Sequence, residues 1–253
     1  MHLDTVLAQL RSMKLSVMAE AIQRRLSQRE QHRLAPDDFF ALLVEEEFTA
    51  RTQRRLQRLI AQADFKPEGA CLENVLASPT RGLDQLTLAR FTSNTWITQA
   101  TNVILTGATG VGKTYVAEAI GLQACRCGYS VRKLRYTHLF EEVHAARGTG
   151  CLLKYLSKLQ ATSVLILDDF LMATVPPDDL TYLLEVIEER SQVGSLILTT
   201  QYPVADWHHR IPDPTLADAI CDRLVHTAIL IRLQGDSLRK RVPPREAVAP
   251  SGE

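Results

Sequence analysis

Short apolar runs alternate with helical patterns from about residue 100 onward. The runs predict β-strands at 102–106, 130–135, 164–168, 195–200 and 227–233. The patterns between them predict helices at 113–126, 138–146, 151–160, 178–190 and 214–224. Apolar strands separated by helices are typical of a parallel sheet that is covered on both faces. The pattern therefore predicts an α/β domain whose ligand binds at the carboxyl ends of the strands.

The chain before residue 66 has a helical pattern throughout. Apolar residues keep helical spacing from Val6 to Met13 and from Met18 to Leu26. A longer helix is predicted to begin near Pro36, because proline favours the first helical position and acidic residues follow it. An apolar stripe on this helix is predicted from Phe40, Leu43, Val44, Phe48, Leu56, Leu59 and Ile60. Residues 1–65 are therefore predicted to form a small all-helical N-terminal domain.

Proline and glycine mark the two regions that flank the α/β pattern. They interrupt residues 66–98, where no apolar period persists, so this range is predicted to be a linker that packs on the core. The core is predicted to span residues 99–241. Residues 242–253 contain three prolines and a glycine and are predicted to be a disordered tail.

Composition narrows the class of protein. The 253 residues include 29 basic and 29 acidic side chains, so net charge gives no argument for a nucleic-acid partner. Five cysteines without a C-x-x-C pair are typical of reduced thiols in a cytoplasmic compartment. No apolar run reaches the ~18 residues of a membrane span, and no signal peptide opens the chain. We expect a soluble cytoplasmic protein that does not enter a membrane.

The segment GATGVGKT, Gly107–Thr114, directly follows the first predicted strand. Its spacing is that of a phosphate-binding P-loop, in which backbone N–H groups and a helix N-terminus surround phosphate oxygens. Lys113 is placed to reach the β- and γ-phosphates, and the Thr114 hydroxyl is placed to bind Mg²⁺. The predicted nucleotide contacts are Gly107, Ala108, Thr109, Gly110, Val111, Gly112, Lys113, Thr114 and Tyr115. The sequence therefore predicts a nucleoside triphosphate and Mg²⁺ as cofactors.

The third predicted strand ends in two carboxylates, Asp168 and Asp169. Asp168 is predicted to hold Mg²⁺ together with Thr114, mainly through water molecules. Asp169 is predicted to orient the water that attacks the γ-phosphate. Most proteins of this architecture carry the longer glutamate at that position, so Asp169 predicts slow hydrolysis or hydrolysis that a partner stimulates.

Two further polar residues follow the nucleotide motifs. Gln201 ends the fourth predicted strand and is predicted to sense the γ-phosphate, with Thr200 as the second choice; a simple turn before Pro203 is the alternative. Arg223 stands near the end of the last predicted helix. In an oligomer it can reach the γ-phosphate of a neighbouring copy, where a cation stabilises the transition state. Its structural alternative is a salt bridge to Asp218 or Asp222.

Two basic clusters are candidates for binding DNA. The first lies on one face of the predicted long helix and consists of Arg51, Arg54, Arg55 and Arg58. It can follow a phosphate backbone, or it can be a solvated face that the preceding glutamates neutralise. The second follows the last predicted strand and consists of Arg239, Lys240 and Arg241. It can contact phosphate, either of the nucleotide through Arg239 or of DNA. His208 and His209 are predicted to be surface residues of a loop.

Several motifs together resemble one family. They are GATGVGKT, LILDDF, LTTQYPVADWHHRI, DPTLADAICDRLVH and GDSLRKR. The chain resembles, from about residue 3 to 241, the IstB-like ATPases, helpers of insertion-sequence transposition that are related to DnaC-type helicase loaders of the AAA+ class. The resemblance implies a helical N-terminal domain and a P-loop NTPase core of the ASCE type with strand order 5-1-4-3-2. It also implies ATP and Mg²⁺ as cofactors, Gln201 as the sensor and Arg223 as a finger acting across a subunit interface.

The resemblance also implies partners and a function. Members bind double-stranded DNA as homo-oligomers joined through the ATP site, and they regulate the transposase of the same insertion sequence. We therefore expect an ATPase that selects or remodels target DNA and is reset by hydrolysis. A DnaC-type helicase loader and a nucleotide-gated DNA scaffold with negligible hydrolysis are the alternatives. A small-molecule kinase is disfavoured because the sequence shows no recognisable acceptor-binding lid. A GTPase is disfavoured because the N-K-x-D motif is absent.

Overall fold

The computed structural model describes residues 2–27, 35–65 and 69–238. The chain divides into two units after Arg58. The N-terminal unit contains the helices α1 (Leu3–Ser12) and α2 (Ser16–Ser27) and most of α3 (Pro36–Ala63). The division falls within α3, whose last residues belong to the second unit. The predicted basic cluster at 239–241 and the predicted tail at 242–253 lie outside the described residues.

A buried carboxylate joins the helices of the N-terminal unit. Glu47 of α3 accepts hydrogen bonds from the backbone N–H of Met18 at 2.9 Å and from the Arg51 side chain at 2.8 Å. Burial by itself raises the pKa of Glu47, but these donors lower the pKa below its ordinary value. Arg51 also donates to the backbone carbonyl of Lys14, in the turn between α1 and α2. Arg51 therefore connects all three helices.

Only part of the predicted apolar stripe of α3 is covered. Leu43 and Leu59 are buried, whereas Phe40 is 64% and Phe48 66% exposed. Val44 lies on the same exposed side. The helical period identifies a face, but the neighbours that pack against α3 decide which residues of that face lose contact with water.

The second unit is built around a five-stranded parallel sheet. Its strands are β1 (Val103–Thr106), β2 (Val131–Arg135), β3 (Val164–Asp168), β4 (Ser195–Thr200) and β5 (Ile229–Arg232). They lie in the order β2-β3-β4-β1-β5, and each neighbouring pair is parallel. The predicted α/β fold and the strand order 5-1-4-3-2 are confirmed. β5 is shorter than the predicted range 227–233.

Helices cover both faces of this sheet. The α-helices that this unit contributes besides the end of α3 are α4 (Gln85–Ala89), α5 (Thr95–Thr98), α6 (Lys113–Arg126), α7 (Tyr136–Gly148), α8 (Leu152–Gln160), α9 (Pro177–Arg190), α10 (Trp207–Arg210) and α11 (Pro214–Val225). Asp213 caps α11 by accepting a hydrogen bond from the Leu216 N–H at 2.9 Å, and Pro214 follows it at the first helical position. None of the helices within the described ranges is long and apolar enough to cross a membrane.

Two tryptophans are part of the core of this unit. Trp96 is buried, with its ring edge-on to that of Phe91. Trp207 is fully buried, and its indole N–H donates to the Tyr202 carbonyl at 3.3 Å. This anchor explains the short α10, which the sequence pattern did not predict. The exposed His208 and His209 lie in α10 rather than in a loop.

A buried guanidinium fastens the amino-terminal edge of the sheet. Arg190, at the end of α9, donates to the carbonyl of Ser195 in β4, to that of Leu159 in α8 and to that of Thr162 just after α8. Burial lowers the pKa of Arg190 to about 10, so the side chain stays charged at neutral pH. The opposite, carboxyl edge of the sheet is left to the loops that carry the predicted nucleotide motifs.

Candidate nucleotide-binding site

The predicted P-loop lies between β1 and α6, at the carboxyl edge of the sheet. Gly107 and Gly110 have φ values of 145° and 87°, in the region that favours glycine. A Cβ at Gly107 would lie 2.3 Å from the Leu233 carbonyl oxygen, and one at Gly110 would lie 2.2 Å from the Ser237 Oγ. Both conformation and space therefore require glycine, and the loop holds its backbone curved in front of α6.

Lys113 lies along the inner side of this loop. Its Nζ donates to the carbonyl oxygens of Gly107 at 2.8 Å and Ala108 at 2.9 Å. The side chain begins at the first residue of α6, and the residue is only 7% exposed. An ammonium in this position can exchange loop carbonyls for phosphate oxygens without leaving the loop. Thr109, Val111 and Gly112 complete the same loop.

Asp168, at the end of β3, receives two threonine hydroxyls. Its Oδ1 accepts hydrogen bonds from Thr114 Oγ1 at 2.8 Å and from Thr199 Oγ1 at 2.6 Å. These oxygens match the ligands that Mg²⁺ prefers. Across the described ranges, no group of three or more His, Cys, Asp and Glu side chains is arranged to hold a metal. An ion at Thr114 and Asp168 would therefore complete its shell with phosphate oxygens and water.

Thr199 of β4 was not predicted as a site residue. In addition to its bond with Asp168, Thr199 stabilises the turn that follows β3. Its Oγ1 accepts a hydrogen bond from the Asp169 N–H at 3.1 Å, and its carbonyl oxygen accepts one from the Phe170 N–H at 2.8 Å. Asp169 has a φ of 58° there, an uncommon conformation for a residue with a side chain. Thr199 therefore orients the carboxylate of Asp168 and fixes the backbone of Asp169. The available signal was a hydroxyl near the end of the strand that neighbours β3.

The two residues considered for γ-phosphate sensing differ in position. Thr200 is fully buried, and its hydroxyl accepts a hydrogen bond from the Tyr202 N–H at 3.2 Å. Gln201 is half-buried and lines a cavity with Gly107, Ala108 and Val111 of the P-loop. Of the two, Gln201 is the one that lies beside the P-loop.

An apolar pocket adjoins the outer side of the P-loop. It is lined by Val75, Leu76, Leu83, Gly112, Tyr115, Val116, Leu233 and Leu238, with Asn74 and Arg81 at its polar side. Arg81 donates to the Val111 carbonyl at 2.8 Å, and the Leu238 N–H donates to the Gly110 carbonyl at 2.9 Å. Segments before β1 and after β5 thus close on the loop. Of this lining, only Gly112 and Tyr115 were predicted to contact the nucleotide.

A buried ion pair lies on the other side of Asp168. Lys133 of β2 is paired with Glu118 of α6, with Nζ 2.5 Å from Oε1. The same Nζ is 3.7 Å from Oδ2 of Asp168. Sequence reasoning missed both residues, although a lysine inside a strand that helices cover on both faces is itself unusual.

Comparison with known proteins identifies the family. The family described as "IstB-like ATP binding protein" matches residues 8–245. The chain belongs to this family. A relative from Sinorhizobium fredii, named as an insertion sequence ATP-binding protein, is 36% identical over 237 residues, which are 94% of this chain and 95% of the relative. The ATP-binding protein of insertion sequence IS1162 from Pseudomonas fluorescens is 41% identical over 197 residues, 78% of this chain and 85% of that one.

Solved structures share the fold of the IstB-like chain at low sequence identity. The DnaC helicase loader has a TM-score of 0.54 and 17% identity, covering 65% of this chain and 97% of its own. DnaI has a TM-score of 0.57 and 19% identity, covering 68% and 96%. AMPPCP-bound DnaA from Aquifex aeolicus has a TM-score of 0.58 and 16% identity, and the match covers 70% of this chain and 53% of DnaA. This IstB-like protein therefore has the P-loop AAA+ fold, with a helical N-terminal region.

In the IstB-like chain, Arg223 and the P-loop lie at opposite edges of the sheet. It stands in the last turn of α11, beside residues that precede the strands, namely Asn102, Gly194 and Thr227. The P-loop follows β1 at the opposite, carboxyl edge. The Arg223 Nη2 is 2.6 Å from Oε1 of Glu188 in α9. Arg223 therefore makes a salt bridge, but to Glu188 rather than to either aspartate considered as its partner.

The arginines of α3 do not form a uniform stripe in the IstB-like chain. Arg51 is engaged by Glu47 and by the Lys14 carbonyl, which is a structural role. Arg54, Arg55 and Arg58 are exposed. Arg51 is therefore tied into the packing of the helices, whereas Arg54 and Arg58 are candidates for contact with a phosphate backbone.

Proposed function

We propose that this IstB-like protein is an ATPase of transposition that oligomerises on duplex DNA through its ATP site. One observation carries the proposal most directly. Lys113 and the Thr114–Asp168 pair meet at the carboxyl edge of the sheet, while Arg223 stands near the amino-terminal edge. A site that needs all of these groups is completed when a second copy supplies Arg223.

Within one subunit, each group has a distinct task. The backbone of Gly107–Gly112 and the Lys113 ammonium bind the phosphates, and the apolar pocket beside Tyr115 receives the base. Thr114 and Asp168 hold Mg²⁺, which neutralises charge on the β- and γ-phosphates. Asp169 orients the attacking water, and Gln201 contacts the γ-phosphate. The Glu188 salt bridge has to open when Arg223 turns to a neighbour.

The partners of the assembly are duplex DNA and the transposase of the same insertion sequence. The names of the relatives, all ATP-binding proteins of insertion sequences, support this context. ATP binding builds the complex that selects or remodels the target DNA and recruits the transposase. Hydrolysis then resets the assembly.

Electron microscopy of the protein with ATP, with and without duplex DNA, tests the proposal. Ordered oligomers are expected when ATP and DNA are both present. A chain that stays monomeric with both would contradict the proposal. Capture by the co-encoded transposase, compared with capture by a replicative helicase, separates this function from that of a helicase loader.

The short side chain of Asp169 favours a second candidate function, that of a DNA scaffold that binds ATP without hydrolysing it. The carboxylate is one methylene shorter than the usual glutamate, and its backbone is held in the left-handed region by Thr199. If Asp169 is the general base, Asp169→Ala should reduce turnover with DNA and transposase present by about a hundredfold or more. Phosphate release by both chains measures this. Equal rates in the two chains would favour the scaffold.

The exposed arginines of α3 give an expectation for DNA binding. Arg54→Ala/Arg58→Ala should weaken binding of duplex DNA and reduce the slope of log K against log salt by about 2, since each phosphate contact contributes about 0.9. Fluorescence anisotropy over a salt series measures this slope. Gln53→Ala/Gln57→Ala, exposed on the same helix, is the matched control and should leave the slope unchanged. An unaltered slope in the arginine variant would show that this face of α3 does not contact DNA phosphates and is only a solvated surface.

A further inference from the structure

Three charged side chains are buried together next to the candidate magnesium position. Asp168 is 4%, Glu118 4% and Lys133 9% exposed. They come from β3, α6 and β2, so the neighbouring position of β2 and β3 and the packing of α6 bring them together. Charges withdrawn from water in this way interact strongly because little solvent screens them.

The ammonium of Lys133 lies between two carboxylates at unequal distances. Nζ is 2.5 Å from Oε1 of Glu118, a direct hydrogen bond, and 3.7 Å from Oδ2 of Asp168, too long for one. The other oxygen of Asp168, Oδ1, is occupied by the Thr114 and Thr199 hydroxyls. The carboxylate is therefore oriented from both sides, while its charge is only partly countered by the ammonium.

We propose that Glu118 holds Lys133 away from Asp168 and thereby sets how strongly Asp168 attracts Mg²⁺ at the nucleotide. Lys133 and Glu118 are positioning residues, since they act through Asp168 and not on the nucleotide. This assignment rests on the proposed function, in which Asp168 serves the Mg²⁺ of bound ATP. The ammonium and the cation compete for the same carboxylate, and Glu118 decides the competition in favour of the cation.

The arrangement gives opposite expectations for a single and a double variant. In Glu118→Gln, the ammonium loses its charged hydrogen-bond partner and closes on Asp168 Oδ2, which lowers the pull of that carboxylate on Mg²⁺. In Lys133→Met/Glu118→Gln, the competing ammonium is also absent. Because the Lys133–Glu118 pair is neutral as a whole, the double variant keeps the formal charge of the site and avoids leaving one buried charge alone.

The experiment measures the Mg²⁺ requirement of nucleotide binding in the full chain. A fluorescent ATP analogue is titrated in EDTA and then at increasing Mg²⁺, and thermal melting checks that each variant is folded. Glu118→Gln should raise the half-saturating Mg²⁺ concentration by about tenfold, because the freed ammonium then competes with the cation for Asp168. It should not weaken binding in EDTA, where no cation is bound. The double variant should return to within about twofold of the wild type, as its local formal charge is the same. Glu141→Gln, which removes an exposed carboxylate of α7, should behave as the wild type.

The outcomes separate this inference from the proposed function. An unchanged Mg²⁺ requirement in Glu118→Gln, or a double variant as impaired as the single one, would overturn the inference. If Glu118→Gln is unfolded, Glu118→Asp is measured in its place. Its carboxylate is shorter and holds the ammonium less well, so the Mg²⁺ requirement should rise by a smaller factor. No rise in Glu118→Asp would overturn the inference. A wild-type chain that binds no nucleotide, with or without Mg²⁺, would instead overturn the proposed function.

Discussion

Replacing Lys113 with alanine is expected to weaken ATP binding strongly and thereby to abolish assembly on DNA. The ammonium lies against the Gly107 and Ala108 carbonyls, 2.8 and 2.9 Å away, in a position that is almost closed to solvent. Removing a hydrogen-bonded charge from such a site leaves the opposing phosphate charge unpaired, which costs about 2–5 kcal/mol or more. Binding should therefore weaken about 30-fold to several thousandfold. Calorimetric titration with ATP and Mg²⁺ measures the affinity, and sedimentation with duplex DNA measures the assembly.

A control separates this effect from a change in folding. Lys158 of α8 is exposed, so Lys158→Ala removes an equal charge from the surface and should leave affinity and assembly as they are. Without nucleotide, the thermal melting of Lys113→Ala should stay close to that of the wild type. Oligomers of normal size formed by Lys113→Ala on DNA would contradict the role of the P-loop in assembly.

The P-loop could be predicted residue by residue because its geometry is local. Strand, loop and helix are contiguous, so the glycine spacing alone places Lys113 and Thr114 at the start of α6. The pairing of Thr114 with Asp168 followed from one further rule, that the carboxyl ends of parallel strands lie at one edge. Element bounds from β3 to α9 were close for the same local reason. The strand order did not follow from spacing and came from the resemblance to a family.

The residues that sequence reasoning missed depend on neighbours distant in the chain. Lys133 stands out only as a lysine inside a strand, and because its partners belong to α6 and β3, only the packing shows which carboxylates it meets. Thr199 contacts Asp168 because β4 lies next to β3. Arg223 pairs with Glu188 because α9 and α11 are adjacent. α10 is only four residues long, too short for a helical period to register.

Replacing Arg223 with alanine is expected to stop hydrolysis while leaving ATP binding to the single chain nearly unchanged. The residue stands beside the starts of β1, β4 and β5 and so cannot contact the nucleotide of its own P-loop. Across a subunit interface, an arginine directed at the γ-phosphate is worth about 10³-fold or more in turnover. Phosphate release in the presence of DNA measures turnover, and titration of the isolated chain measures binding.

Glu188→Ala is the matched control for Arg223→Ala, because it breaks the same salt bridge and leaves the guanidinium in place. It should keep hydrolysis, and an equal loss in both variants would assign the effect to the salt bridge.

Mixing two inactive chains tests whether Arg223 acts on a neighbour. A Lys113→Ala chain retains Arg223, and an Arg223→Ala chain retains its P-loop and Asp168. Some interfaces of a mixed assembly therefore join an intact P-loop to an intact arginine, and these interfaces should hydrolyse ATP although neither chain does so alone. Only a P-loop that binds ATP joins two chains, so the interfaces of an equal mixture form at the P-loops of Arg223→Ala chains. The facing chain is of either kind at random, and about half of these interfaces therefore join an intact P-loop to an intact arginine. If the mixture stays as inactive as its components while co-assembly is demonstrated by sedimentation, Arg223 does not complete a neighbour's site. The Glu188 salt bridge would then be its role in the assembled protein as well.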